Sequence, residues 1–339
     1  MERFYKNILT LLLAYVTLFF AICCQPSSNG KDKNFVATDS SILIKNPLPS
    51  WNDPLKGEIM AFVDKVSRNG SSGFVPPEDR IATFDNDGTL WAEIPVVQGL
   101  FAFYRAWKMI KENPALAKKQ PFLSVIKNDQ AYFEKDEEKA LWQLVVATHT
   151  GLTEDQFDSD VKDFFSTAIY PGRNVPVHQI IYKPQLELLA YLRANGFKTY
   201  IVTGGTIEFV RAISETYYGI PKDQVKGTTF KYEFIDSNRS IKRDPEINLV
   251  NDKAGKPVGI QVHIGRRPIF SAGNERSGGD IAMSKFCQSN HYSNFQLIVN
   301  HNDSAREYYY QEEDSASLKA AAQNKWHIVS MKDDWKTIF

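Results

Sequence analysis

In the stretch RIATFDNDGTLWAE, residues 80–93, Asp85 and Asp87 stand one residue apart at the end of an apolar run, and Gly88 and Thr89 follow at once. Two carboxylates so placed form either a solvated turn at a strand edge or a pair that does chemistry. An Asp-x-Asp by itself does not separate the two. Other groups able to act on an anion stand far along the chain. They are the hydroxyl of Thr203 before Gly204 and Gly205, the ammonium of Lys256 or of Lys253 in NDKAGKPVGI, and Asn274 with Asp280 in AGNERSGGD.

The elements that end on these residues decide whether they meet. RIATFD reads as a short strand ending at Asp85, TYIV as a strand ending in Thr203-Gly204-Gly205, and PIFSAG as a strand ending in Gly273-Asn274. PQLELLAYLRANG and TIEFVRAISETYYG read as helices stopped by glycine, and GKPVGIQVHIG as a short helix opened by Lys256. VKGTTFKYEFI and RSIKRD suggest strands around the turn DSN, and NFQLIVNH and WHIVSM close the series. Strands alternating with helices predict an α/β fold with a doubly wound parallel sheet. Ligands of such sheets lie at the carboxyl ends of the strands, so Asp85, Asp87, Thr203, Lys256, Asn274 and Asp280 are expected to converge on one crevice.

Before the first strand, LKGEIMAFVDKVSRNG carries Leu55, Ile59, Phe62, Val63 and Val66 at helical spacing. Residues 92–183 read as helical and aromatic with no strand run, and TEDQFDSDVKDFFSTAI is expected to start with Thr153 as N-cap and Gln156 closing a capping box.

The chain has 339 residues, 43% hydrophobic and 24% charged, the profile of an ordered globular protein. Its formal net charge is zero, so nothing in the electrostatics favours nucleic acid as a partner. Arg3 and Lys6 precede an apolar run from Ile8 to Cys24, a secretory signal pattern. Small apolar residues, then Cys23-Cys24, then the polar segment QPSSNGKDKN resemble a bacterial lipoprotein signal, although Ile22 stands where Gly, Ala or Ser is usual. An uncleaved anchor is the alternative. Both place the body outside the cytoplasm, tethered to a membrane at the periplasmic or cell-surface side, with residues 25–50 as a linker. Cys287 alone is left in the globular part, and the six histidines show no metal-ligand spacing, which disfavours zinc.

In order, FDNDGT, IVTGG, Lys256 and AGNERSGGD resemble the four motifs of the haloacid dehalogenase-like hydrolase superfamily, on its phosphoserine-phosphatase-like side, over residues 80–335. The resemblance implies a Rossmann-like core of residues 51–91 and 184–339 with a helical cap of residues 92–183 inserted after the first motif. It implies Asp85 as a nucleophile forming an aspartyl-phosphate and Asp87 as the group that protonates the leaving alcohol and then activates water. Thr203, Gly204 and Lys256 would bind phosphate. Mg²⁺ would sit on Asp85, the Asp87 backbone carbonyl and Asn274, with waters completing the shell and Asp280 behind them or joined through water.

The chain departs from the family where Asn274 replaces the usual aspartate. An amide oxygen ligates without charge, so weaker metal binding is expected, with Glu275 as the rival ligand. Glu93, just past the first motif, stands where phosphoserine-phosphatase-like relatives carry an acidic residue that meets the substrate. His263, Arg266 and Arg267 in HIGRRP look like an anion clamp but enter their strand at its amino end, so a structural role is expected. His301 and Asp303 follow the strand LIVNH and are candidates to border the crevice.

The function expected is a Mg²⁺-dependent phosphatase acting on a small phosphomonoester. Asp87 argues against the dehalogenase branch. A phosphotransferase using the same site is the enzymatic alternative, and a surface lipoprotein keeping the fold without catalysis is the other.

Overall fold

The computed structural model describes residues 46–276, 278–312 and 314–339; Cys23, Cys24 and the apolar run before them lie outside the described residues. The elements follow in order. α1 is Leu55–Ser67, β1 Ile81–Phe84, α2 Val97–Glu112, α3 Phe122–Lys127, α4 Gln130–Lys135, α5 Glu137–His149 and α6 Glu154–Thr167. Then come β2 Ile169–Tyr170, β3 Val175–Pro176, α7 Lys183–Ala194, β4 Lys198–Thr206, α8 Ile207–Tyr218, β5 Val225–Ile235 and β6 Ser240–Leu249. The chain closes with α9 Gly255–His263, β7 Phe270–Asn274, α10 Ile281–Gln288, β8 Phe295–Asn300, α11 Ala316–Asn324, β9 His327–Ser330 and α12 Met331–Asp334.

One seven-stranded sheet runs in the order β6-β5-β4-β1-β7-β8-β9. Neighbours from β5 to β9 pair in parallel, so the fold is the expected α/β, mostly parallel, Rossmann-like core. β1 lies at its centre and buries all four residues, which is why it reads as an unbroken apolar run rather than an alternating one. Phe62 of α1 packs its ring against Phe197, Phe270 and Phe295 at centroid distances of 6.4, 6.3 and 5.2 Å. Arg80 fixes the amino end of β1 by donating to the carbonyls of Val75, Asn195 and Ser67. A side chain at Gly196 would meet that guanidinium at 2.8 Å.

The described chain divides into two compact units. The core unit holds the described residues up to Ala92, Ile180–Thr229 and Leu249–Phe339, and the insert unit holds Glu93–Gln179 with Phe230–Asn248. Of the expected linker, Leu48 and Ser50 are already buried in the core. Ser50 Oγ donates to Glu187 Oε1 at 2.6 Å, so the core begins earlier than the polar composition suggests.

The insert is built on helices whose aromatic residues face inward. Phe101 meets His149, Phe157 and Phe164 edge-on at 5.2–5.5 Å, and buried Asp160 pairs with Arg105 at 2.9 Å and also with Lys108. The capping box of α6 forms as read, with Thr153 Oγ1 accepting from Gln156 N at 3.3 Å. Two features differ from the sequence reading. β2 and β3 make a small antiparallel pair inside the supposedly strandless insert, each being too short to show a period. The outer part of the β5–β6 hairpin also belongs with the helices: Arg243 lies over the Phe157 ring at 3.6 Å, and Glu154 Oε2 accepts from Ile241 N at 2.9 Å.

Candidate active site

The apolar run of β1 stops at Asp85, whose backbone N–H still donates to Ala272 O at 2.9 Å and so holds the residue at the strand end. The chain then turns. Asn86 O accepts from the amides of Thr89 and Leu90 at 3.2 and 2.8 Å, Gly88 N donates to Trp91 O at 2.9 Å, and Gly88 takes a φ of 70°. That left-handed conformation is the reason a glycine follows the second aspartate. The turn leaves strand geometry after Asp85, as two carboxylates two positions apart must do to share one region. The indole Nε1 of buried Trp91 donates to Asp87 Oδ1 at 2.8 Å.

The other motifs arrive at the same sheet end. Lys256, 2% exposed on the first turn of α9, places Nζ 2.6 Å from Asp85 Oδ1 and 2.5 Å from Asp280 Oδ1. Its rival Lys253 is exposed. Asp280 Oδ2 accepts from Asn274 N at 3.0 Å, and a Cβ on Gly273 would lie 2.4 Å from Asp280 Cβ, so only glycine lets the carboxylate come this close. Asn274, 3% exposed, donates from Nδ2 to Tyr310 Oη at 3.2 Å. Glu275 turns its Oε1 to the backbone N–H of His301 at 3.3 Å. Thr203, fully buried, accepts at Oγ1 from Gly205 N at 3.0 Å, and its carbonyl accepts from Asn251 Nδ2 at 2.9 Å. Asn251 also packs tightly on α9, where a Cβ on Gly259 would stand 1.9 Å from its Oδ1. One asparagine thus registers the helix that carries Lys256 against the strand that carries Thr203.

The electrostatics are those of crowded negative charge. Burial, then the carboxylates of Asp280 and Asp87, push Asp85 well above the ordinary carboxylate range, with Lys256 pulling the other way. Burial raises Asp280 as well, again against Lys256. Burial works against the Lys256 ammonium, yet Asp280 and Asp85 outweigh it and hold the lysine above its ordinary range. Buried Tyr218, whose ring lies 6.1 Å from Trp91, is pushed above its ordinary value by burial and by Asp87 and Asp85, so it stays a neutral phenol. Two carboxylates share one ammonium here, and Asn274 is joined to the same Asp280. A divalent, oxygen-seeking cation suits that donor set and that excess of negative charge. Among the described residues no group of three or more His, Cys, Asp or Glu is placed to hold a metal.

The remaining candidates lie outside the Lys256 cluster. Glu93 is buried as the first residue of the insert unit. Arg266 pairs with Asp79, and Arg267 donates to Ser289 O at 2.7 Å. With Asp79, His291 and Tyr292 they line an open depression of about 610 Å³ at the amino ends of the strands, away from Asp85. His301 is fully buried, with Nε2 2.8 Å from Gly88 O, and Asp303 pairs with Arg306. Sequence reading missed Trp91, Asn251 and Tyr310. A tryptophan after an apolar strand reads as core, and nothing local marks a distant amide or phenol as a partner of the loop.

Residues 82–250 match the family model of the haloacid dehalogenase-like hydrolases. No curated protein matches the sequence. Among solved structures, a conserved functionally unknown protein from Anaerococcus prevotii DSM 20548 superposes with a TM-score of 0.57 at 14% identity, covering 85% of this chain and 96% of that one, and shares its fold. A protein of unknown function from Bordetella pertussis Tohama I gives a TM-score of 0.48 at 12% identity, covering 74% and 98%. A phosphoserine phosphohydrolase-like protein from Francisella tularensis subsp. tularensis SCHU S4 gives 0.37 at 17% identity, covering 70% and 99%.

Proposed function

The chain is a haloacid dehalogenase-like hydrolase, and from that premise we propose that it is a phosphatase acting on a small phosphomonoester through a phosphoryl group carried on Asp85. The observation that carries this reading is Lys256, whose buried ammonium joins Asp85 and Asp280 at the carboxyl end of the central strand while Trp91 holds Asp87.

In this reading Asp85 attacks phosphorus in line with the leaving oxygen, and the bond to that oxygen breaks as the bond to Asp85 forms. Asp87 gives its proton to the departing alcohol. It then takes one from the water that attacks the aspartyl-phosphate, which returns Asp85 and releases inorganic phosphate. Lys256 and backbone N–H groups after Thr203 stabilise the charge on the equatorial phosphate oxygens. Mg²⁺ on Asp85, the Asp87 carbonyl and Asn274, with Asp280 behind them or joined through water, would shield the phosphate from the carboxylates that surround it. With Asn274 in place of an acidic residue, half-saturation is expected at higher Mg²⁺ than for an all-carboxylate site.

The test is hydrolysis of a panel of phosphate esters by the purified chain, with and without Mg²⁺, beside Asp85→Asn. Metal-dependent turnover that the variant loses supports the reading. Turnover that survives in Asp85→Asn contradicts it, and so does failure on every ester.

A further inference from the structure

One buried histidine outside the motifs is brought onto the catalytic loop. His301 lies just past the carboxyl end of β8, with no side-chain exposure. Its Nε2 is 2.8 Å from the Gly88 carbonyl oxygen and its Nδ1 3.2 Å from Glu307 Oε2. Glu307 accepts at Oε1 from Tyr182 Oη at 3.3 Å, and Tyr310 stacks on the imidazole with centroids 4.2 Å apart. The backbone N–H of His301 is held by Glu275.

The donor inventory orders this arrangement. A carbonyl oxygen only accepts, so Nε2 carries a proton and donates it to Gly88. Nδ1 faces the Glu307 carboxyl group at 3.2 Å, which fixes the orientation of the ring. Within the loop, the amides of residues 88–90 are used internally. The Gly88 carbonyl is turned instead toward β8, and its donor comes from 213 residues further along the chain. Gly88 follows Asp87 directly and, being glycine at positive φ, has the least intrinsic resistance to rotation.

We infer that His301, oriented by Glu307, is a positioning residue that clamps the Gly88 carbonyl and so blocks a peptide rotation that would carry Asp87 out of place. The consequence for turnover rests on the phosphatase reading; the restraint on the loop does not.

Two readouts on the full-length chain in detergent test it: steady-state hydrolysis of p-nitrophenyl phosphate with Mg²⁺, and amide hydrogen exchange of the peptide covering residues 82–92. His301→Leu keeps bulk and removes the donor. It is expected to lower kcat by about 100-fold, the cost of a small misplacement, with KM changed by less than about 3-fold, and to speed exchange of the loop amides. His301→Gln, which can still donate to Gly88, is expected to recover most of both, and Glu307→Gln to fall between. Unchanged kcat and loop exchange in His301→Leu would overturn the clamp and leave His301 a core-filling residue. Should His301→Leu fail to fold, Glu307→Gln decides on the same two readouts. If the unmodified chain hydrolyses nothing, the phosphatase reading fails, and loop exchange alone decides the clamp.

Discussion

At the scale of single residues the site depends on charges that are stable only together. Lys256 sets one ammonium between two buried carboxylates at 2.6 and 2.5 Å. Lys256→Met leaves them facing each other, so a stability loss of about 3–5 kcal/mol is expected in metal-free buffer. Urea unfolding measures it, and adding Asp280→Asn should restore part of the loss; an unchanged midpoint in the single variant contradicts the arrangement. Trp91 acts on the second aspartate. Its indole N–H fixes the Asp87 carboxyl group, so Trp91→Phe should lower kcat by about 10-fold or more with KM changed by less than about 3-fold. An unchanged kcat would assign Trp91 to packing alone. Asp85, Asp87 and Lys256 were legible because their residue types are costly to bury without a purpose. Trp91 was not, since an indole after a strand is an ordinary part of a core; His301 was legible as a candidate to border the crevice, but only the fold shows that it reaches Gly88.

At the scale of elements, the strands and glycine-stopped helices were readable because burial on both sheet faces produces apolar runs and helices produce their own spacing. The capping box at Thr153 and Gln156 was equally local. What could not be read was membership: residues 230–248 have the composition of a strand hairpin, and only Arg243 and Ile241 meeting α6 and its cap assign them to the insert. That insert carries a buried histidine with a testable sign. Burial, then Arg243, drive the His149 pKa well below 6.5, so the folded chain holds it neutral while the unfolded chain takes up a proton near its ordinary value. The stability it allows is complete above pH 6.5 and is lost as pH falls below that value toward the folded pKa, by up to about 1.4 kcal/mol per pH unit. Urea unfolding at pH 7 and pH 5 should show a smaller acid loss in His149→Phe than in the unmodified chain. Equal losses would place the acid sensitivity elsewhere.

At the scale of the whole molecule, two properties lie apart from the fold. Among the described residues no helix is long and apolar enough to cross a membrane, and the apolar run of residues 8–24 lies outside the described part. We propose lipidation of Cys23 or Cys24. Growth with radiolabelled palmitate should label the unmodified chain and not a Cys23→Ser, Cys24→Ser double variant; label persisting in the double variant contradicts it. Substrate choice was not legible either, since a shared fold leaves it open. The meeting of three motifs was, because Asp85, Lys256 and Asp280, far apart in the chain, come together at one sheet end. The claim that Asp85 carries the phosphoryl group is tested most directly by quenching the chain during turnover, reducing with borohydride and mapping the peptide over residues 81–92. An aspartyl-phosphate at Asp85 is converted to homoserine at position 85, and that is the result predicted. An unmodified peptide under conditions of active turnover, or homoserine at position 87 instead, would contradict it.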